Sequence, residues 1–101
     1  MNALLIDPTA KTVTTVAVDR QNTLQALYAL IGCARVEVVS PNPAMHLYVD
    51  EEPTTTHRFA YPGLSYSVAG RAVVVGPVAT DGSDSAATVT AAEVAAAIIW
   101  A

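Results

Sequence analysis

Apolar and polar residues alternate in several short segments of this chain, a pattern typical of strands with one covered face. Residues 2–6 and 12–18 are rich in apolar and β-branched residues and flank a turn at Asp7-Pro8. They therefore predict a β-hairpin. Alternation is found at residues 34–40, 45–52 and 64–70, and residues 58–61 and 64–70 flank a turn at Pro62-Gly63.

The segment RAVVVGPVA, residues 71–79, does not alternate, because its centre is continuously apolar. A strand with that composition is typical of the middle of a sheet, where both faces are covered. Pro77 is expected to mark its end, since proline cannot donate to an interior hydrogen-bond ladder.

A different spacing, with apolar residues three and four positions apart, predicts a first helix in the segment NTLQALYALIG. Its apolar face consists of Leu24, Leu27, Tyr28 and Ile31. Asn22 is the predicted N-cap, with Gln25 three residues later at the capping-box position. Gly32 is predicted to end the helix in the left-handed conformation.

The segment TAAEVAAAIIWA, residues 90–101, predicts a second helix that is apolar almost all round. Thr90 and Glu93 have capping-box spacing and mark its start. One apolar face is expected to lie across the protein's own sheet, whereas the last residues point elsewhere. We predict that these last residues contact another copy of the chain, in a dimer or higher homo-oligomer. The residues expected in that interface are Ile98, Ile99 and Trp100.

This order of elements predicts a single small α+β domain over residues 1–101. The expected architecture is an antiparallel or mixed sheet of five to seven strands, with two helices packed on one face. The segment TDGSDSAAT, residues 80–88, is the longest turn-like stretch. It has two interpretations, a flexible connection or a loop that closes over a ligand.

Composition restricts the partners. Nine acidic residues against five basic ones give a formal net charge of −4, which argues against duplex nucleic acid and anionic membranes as partners. The first residues, MNALLIDPTAK, have no basic leader, and no apolar run is long enough to span a bilayer. One cysteine excludes an intramolecular disulfide, so we expect a cytoplasmic protein.

Five segments in order, ALLIDP, LQALYALIGCARVEVV, LYVDEE, HRF and VAGRAVVVGP, resemble a family of small proteins of unknown function encoded largely by bacteriophages and other mobile elements. The resemblance extends to about residue 77. The chain departs from the family pattern at two places, with Asp50-Glu51 where the family has NE and His57-Arg58 where it has NR. The resemblance implies a phage-borne accessory protein in a bacterial host cytoplasm. Small phage proteins of this kind often counter host defence, by binding a defence protein or by sequestering a signalling nucleotide.

One candidate ligand site combines guanidinium groups, which bind phosphate, with aromatic rings, which stack on bases. Its predicted members are Arg58, Arg71, Tyr61, Tyr66 and His57. The alternative interpretation is structural: the arginines pair with the acidic run at residues 50–52, and the tyrosines belong to the core.

The acidic run Asp50, Glu51 and Glu52 is a candidate loop for contact with a partner protein. No metal, cofactor or catalytic group is expected, because the ligand spacings are absent and Cys33 follows a helix-ending glycine, as a small buried residue would. We therefore expect a non-enzymatic binding protein that sequesters a small nucleotide signal of host immunity. The alternatives are direct inhibition of a host defence protein through the acidic loop, or a structural or regulatory phage protein without a defence target.

Overall fold

Eight strands and two helices form the chain, and a computed structural model describes all of residues 1–101. In chain order the elements are β1 Asn2–Asp7, β2 Thr12–Ala17, α1 Thr23–Ile31, β3 Val36–Asn42, β4 Met45–Asp50, β5 Arg58–Ala60, β6 Val68–Ala69, β7 Ala72–Val75, α2 Ala91–Ala97 and β8 Ile99–Trp100. The predicted hairpin, both helices and the predicted α+β class are confirmed. Of the predicted strand at 64–70, only Val68–Ala69 forms.

The main sheet has five strands in the order β2-β1-β7-β4-β3, and every neighbouring pair is antiparallel. β7 lies at its centre, and Val73, Val74 and Val75 are fully buried. This confirms the central strand expected from the continuous apolar run. β7 ends at Val75, two residues before Pro77.

The two helices cover opposite faces of this sheet, so the prediction that both pack on one face is wrong. On one face Leu4, Leu47 and Val74 pack with Val94 of α2. On the other face a separate buried cluster joins β1 and β7 to α1, and it consists of Ala3, Val18, Leu27, Ile31, Val73 and Val75. Because β7 is apolar at every position, both faces of the sheet must be covered, and one helix is available for each.

A second, three-stranded sheet has the order β6-β5-β8 and packs on the α2 face. Phe59, fully buried in β5, is its central residue and is paired with Val68 on one side and Trp100 on the other. The chain end is therefore a strand where a helix was predicted beyond Ala97. The β-branched and aromatic residues there favour an extended conformation, and β5 supplies a pairing partner.

The helix ends follow local rules. Gly32 adopts φ 77°, and its N–H donates to the Tyr28 carbonyl at 2.8 Å, which confirms it as the helix stop. The capping box of α2 is also present: the Glu93 N–H donates to Thr90 Oγ1 at 3.1 Å, and the Thr90 N–H donates to Glu93 Oε1 at 3.2 Å. Asn22 is the N-cap of α1, but its side chain makes no capping hydrogen bond. Neither helix has the length and apolar character needed to cross a membrane.

Candidate functional site

Three open clefts meet where β4 ends. The largest, about 350 Å³ and here called the helix-end cleft, is lined by residues 32–35, Asp50, Glu52 and Thr54. The Arg71 cleft, about 180 Å³, includes Thr9, Gly32, Asp50, Thr54, Gly70 and Arg71. The Tyr66 cleft, about 100 Å³, includes Glu37, Asp50, Glu51, Arg58, Tyr66 and Ser67. Asp50 is the one residue common to all three clefts.

Pairing between β3 and β4 places Asp50 at this junction. Val36 lies opposite Asp50, and the Glu51 N–H donates to the Arg35 carbonyl at 3.1 Å. Beyond that pair the chain turns, and the Glu52 N–H donates to Asp50 Oδ1 at 2.9 Å. The Asp50 carboxylate is therefore held in place by its own turn.

The charge around the clefts is mixed but predominantly negative. Arg35 and Glu52 lie 3.9 Å apart with exposed side chains, a geometry that contributes little stability. Arg71 Nε lies 3.5 Å from Asp7 Oδ2, and Arg71 Nη1 donates to the Leu30 carbonyl at 3.5 Å. The two arginines are thus partly neutralised.

The C-terminal end of α1 adds to this negative character. Its last carbonyls carry partial negative charge, which favours cations nearby. Residues 32–35, which line the helix-end cleft, follow directly after α1. A cationic group in this cleft would therefore meet both the helix end and the Asp50 carboxylate.

The predicted nucleotide-binding set does not converge in one cleft. Arg58 and Tyr66 line the Tyr66 cleft, whereas Arg71 lines the Arg71 cleft. Tyr61 packs against the core cluster of the α2 face, and exposed His57 lines none of the three clefts. The structural alternative holds for Tyr61. It does not hold for Arg71, because the carboxylate that pairs with Arg71 is Asp7 and lies outside the acidic run.

The predicted partner loop at Asp50, Glu51 and Glu52 is accessible. Asp50 is half-buried, and the two glutamates are exposed. No group of three or more His, Cys, Asp or Glu side chains is placed to hold a metal ion.

Cys33 is half-buried and lines the helix-end cleft, where a small buried residue was predicted. Burial raises the pKa of the Cys33 thiol, and the negative charge of Asp50 raises the pKa further. Both effects keep the thiol protonated, the reverse of the activation that a nucleophilic cysteine needs.

The predicted oligomer-interface residues have different environments. Ile98 is 9% exposed and belongs to the protein's own core, and Trp100 packs against that core. Ile99 is 63% exposed. Within this set, Ile99 is therefore the apolar side chain available to a second copy. The oligomer interface at these last residues stays a prediction.

Two polar pairs were missed by the sequence patterns. Tyr48 Oη donates to Asp84 Oδ2 at 2.7 Å, which ties the segment after β7 to β4. That segment is also closed by a bridge between Val78 and Asp84. His46 Nδ1 is hydrogen bonded to Ser40 Oγ on the exposed surface. Tyr48 and Asp84 are 36 positions apart, and Ser40 and His46 lie on the neighbouring strands β3 and β4. The periodicity within a single segment therefore carries no signal for either pair.

Comparison with protein-family models provides one match. The model of a domain of unknown function, DUF3846, matches residues 1–97. The chain belongs to the DUF3846 family. The matched region contains all three clefts of this DUF3846 protein and ends at the last residue of α2. No curated protein matches the chain, and no solved structure matches it either.

Proposed function

We propose that this DUF3846 protein acts by binding, without catalysis, and that a positively charged surface of a partner protein docks on the clefts around Asp50. The observation that supports the proposal is the shared position of Asp50 in all three clefts. A lysine or arginine side chain that enters any of them meets this carboxylate.

The balance of charge favours a cationic partner over an anionic one. The carboxylates that line the clefts are Glu37, Asp50, Glu51 and Glu52, and the guanidinium groups are Arg35, Arg58 and Arg71. Two of the three arginines are already engaged, by Glu52 and Asp7. Phosphate would be repelled by the remaining carboxylates, whereas a basic side chain would be attracted.

The setting that we propose is the one implied by the family resemblance. The protein is a phage-encoded accessory factor of the bacterial host cytoplasm, and the docked partner is a host defence protein that it inhibits. Such inhibition needs no cofactor and no chemical step, because occupation of a basic functional surface is sufficient.

Three single-charge variants test the docking surface. Glu51→Gln removes an exposed charge that lines the Tyr66 cleft, and Asp50→Asn removes the charge shared by the three clefts. Glu93→Gln is the control, because it removes one charge in the capping box of α2, where glutamine retains the capping hydrogen bond. The partner would be recovered from host cells with wild-type protein, identified by mass spectrometry, remade in pure form and titrated against each variant. We expect E51Q and D50N to weaken the affinity and E93Q to leave it unchanged, with a loss of affinity at higher salt. Equal affinity for all three variants would refute the proposal.

Sequestration of a small nucleotide signal is the second candidate function. It is favoured by the Tyr66 cleft, where Arg58 has no ion-pair partner and Tyr66 is 53% exposed. An exposed ring and a free guanidinium suit stacking and phosphate binding. Three carboxylates in the same cleft oppose that binding, which places this function second.

Melting temperature distinguishes the two functions. Cyclic nucleotides and ADP-ribose nucleotides, supplied far above their dissociation constant, would raise the melting temperature of a nucleotide-binding protein by several degrees. The increase would disappear in Tyr66→Ala. If none of these nucleotides shifts the melting temperature, the second function is wrong and the protein-docking proposal is untouched.

A further inference from the structure

The main sheet ends in β2, an edge strand without any feature that prevents pairing with another strand. Its sequence, TVTTVA, contains no charged residue and no proline. Edge strands in natural proteins are usually protected by charge, proline, bulges or short length. The other edges have such protection: β3 carries Glu37, Pro41 and a register shift, and β6 and β8 have two residues each.

The direction of the free backbone groups in β2 follows from its pairing with β1. Met1 and Val18 exchange two hydrogen bonds, of 2.7 and 2.8 Å. In an antiparallel pair, hydrogen-bonded positions alternate with open ones. With Asn2 opposite Ala17 and Leu4 opposite Thr15, the N–H and C=O groups of Val13, Thr15 and Ala17 point away from β1.

These outward groups have no partner within the chain. None of the backbone hydrogen bonds outside the regular elements involves Val13, Thr15 or Ala17. α2 packs beside β2 on one face of the sheet, but Thr15 and Ala17 stay exposed. The edge is therefore open to another strand.

We propose that β2 pairs antiparallel with β2 of a second copy of this chain, with Thr15 opposite Thr15 and Val13 opposite Ala17. In this register all three outward residues of each copy form hydrogen-bonded pairs, so no outward N–H or C=O of these residues is left unpaired. Shifting the register by two residues leaves one of the three without its partner. The pairing is isologous, as expected for a two-fold dimer.

Charge favours a second copy as the occupant of this edge. In this antiparallel register Thr15 faces its own copy, and the other residues of β2 face different residues of the same strand, so charges of one sign in β2 would repel each other across the interface. β2 has none, so this repulsion is absent. Beyond the strands, the same register brings Lys11, in the turn before β2, near Asp19 of the other copy at both ends of the interface, where opposite charges attract.

The dimer has a consequence for the clefts, and this part rests on the proposed function. The order β2-β1-β7-β4-β3 places β2 and the Asp50 junction towards opposite edges of the sheet. Joining two copies through β2 gives a ten-stranded sheet with a set of clefts towards each outer edge. A dimer would therefore be bivalent, and a partner with two basic surfaces would bind more tightly than a single surface allows.

Two proline variants at equivalent edge positions test the interface. Thr15→Pro removes an N–H that points outward from β2. Val38→Pro removes one that points outward from β3, since Val38 is flanked by hydrogen-bonded positions in the pairing with β4. Proline is tolerated at such edge positions, and circular dichroism would check that both variants fold.

Sedimentation equilibrium from about 1 μM to about 1 mM would report the dissociation constant of the dimer, in the range where weak dimers form. T15P removes two interface hydrogen bonds and should raise that constant about tenfold or more, whereas V38P should not change it.

Amide exchange in the unmodified protein provides a second measurement. In the monomer the amides of Val13, Thr15 and Ala17 should exchange rapidly and that of Thr14 slowly, since Thr14 is bonded to β1. As the protein concentration rises, exchange of the Val13, Thr15 and Ala17 amides should slow in step with the fraction of dimer, and exchange of the Thr14 amide should not change.

A protein that stays monomeric at about 1 mM, or a dimer in which the amides of Val13, Thr15 and Ala17 still exchange rapidly, would overturn the proposal. A dimer disrupted by V38P and unaffected by T15P would assign the contact to β3. Each of these results is independent of whether a basic partner binds at Asp50.

Discussion

Replacing Leu27 by alanine, with the same replacement at Leu24 as a control, measures how α1 is seated on the sheet. The two leucines lie one turn apart on the apolar face predicted from spacing. In the structure Leu27 is 1% exposed and belongs to the cluster with Val73 and Val75, whereas Leu24 is 51% exposed. The same chemical change is therefore made once in a packed environment and once at a half-open surface.

The two replacements should differ by about 2 to 3 kcal/mol in the free energy of unfolding. A buried Leu→Ala change typically costs about 3 kcal/mol, from lost transfer free energy and the cavity left behind. At Leu24 about half of the side chain remains in water, and alanine is a slightly better helix former, so the cost should be below about 1 kcal/mol. A domain of this size has a total stability of about 5 to 15 kcal/mol, so L27A should still fold.

Urea unfolding followed by circular dichroism would measure both variants. With a denaturant slope of about 1.5 kcal/mol/M, L27A should lower the midpoint by about 2 M and L24A by less than about 0.7 M. The slope itself should not change, since the folded state is the same. Equal shifts for the two variants would show that α1 does not pack on the sheet through Leu27, and would refute the assignment of the second cluster to that face.

Three further predictions concern individual contacts. Thr90→Ala removes half of the α2 capping box and should lower the free energy of unfolding by about 1 kcal/mol, measured by urea unfolding. Burial and the hydrogen bond to Asp84 raise the pKa of Tyr48 above its ordinary value near 10. The folded protein therefore favours the protonated phenol, and this contribution to stability is fully present below pH 10 and is lost as the pH rises above it. Wild-type protein should therefore lose stability above about pH 10 more steeply than Tyr48→Phe, and parallel pH profiles would contradict this. Asp50→Asn removes a charge that raises the pKa of the Cys33 thiol, so the pH midpoint of Cys33 alkylation should fall in D50N and stay unchanged in E93Q.

Much of the local structure was predictable because it depends on residues close together along the chain. Apolar and β-branched runs around the turn at Asp7-Pro8 predicted the hairpin, and Gly32 and the capping box predicted helix boundaries that the structure confirms. The candidate site was predictable only in part. The acidic run was identified, but the helix-end cleft also needs residues 32–35, which come next to Asp50 only through β3–β4 pairing.

The last residues of the chain show why composition alone did not decide their conformation. An alanine-rich segment predicted a helix to the end of the chain, yet Ile99 and Trp100 pair with β5. The conformation of two residues after a short helix is decided by whatever backbone groups are available nearby. Here those groups belong to residues about 40 positions earlier, which spacing patterns do not report.

The amino-acid sequence alone determined the α+β class, the two helices, the hairpin and the central position of β7, because each depends on side-chain periodicity or on the requirement to bury an apolar run. Tertiary structure alone decided that the helices cover opposite faces, that β2 is left as an open edge, and that three clefts share Asp50. These features depend on which strands become neighbours, such as β1 beside β7. That choice buries apolar side chains from segments far apart in the sequence against one another, so no single segment of the sequence contains it.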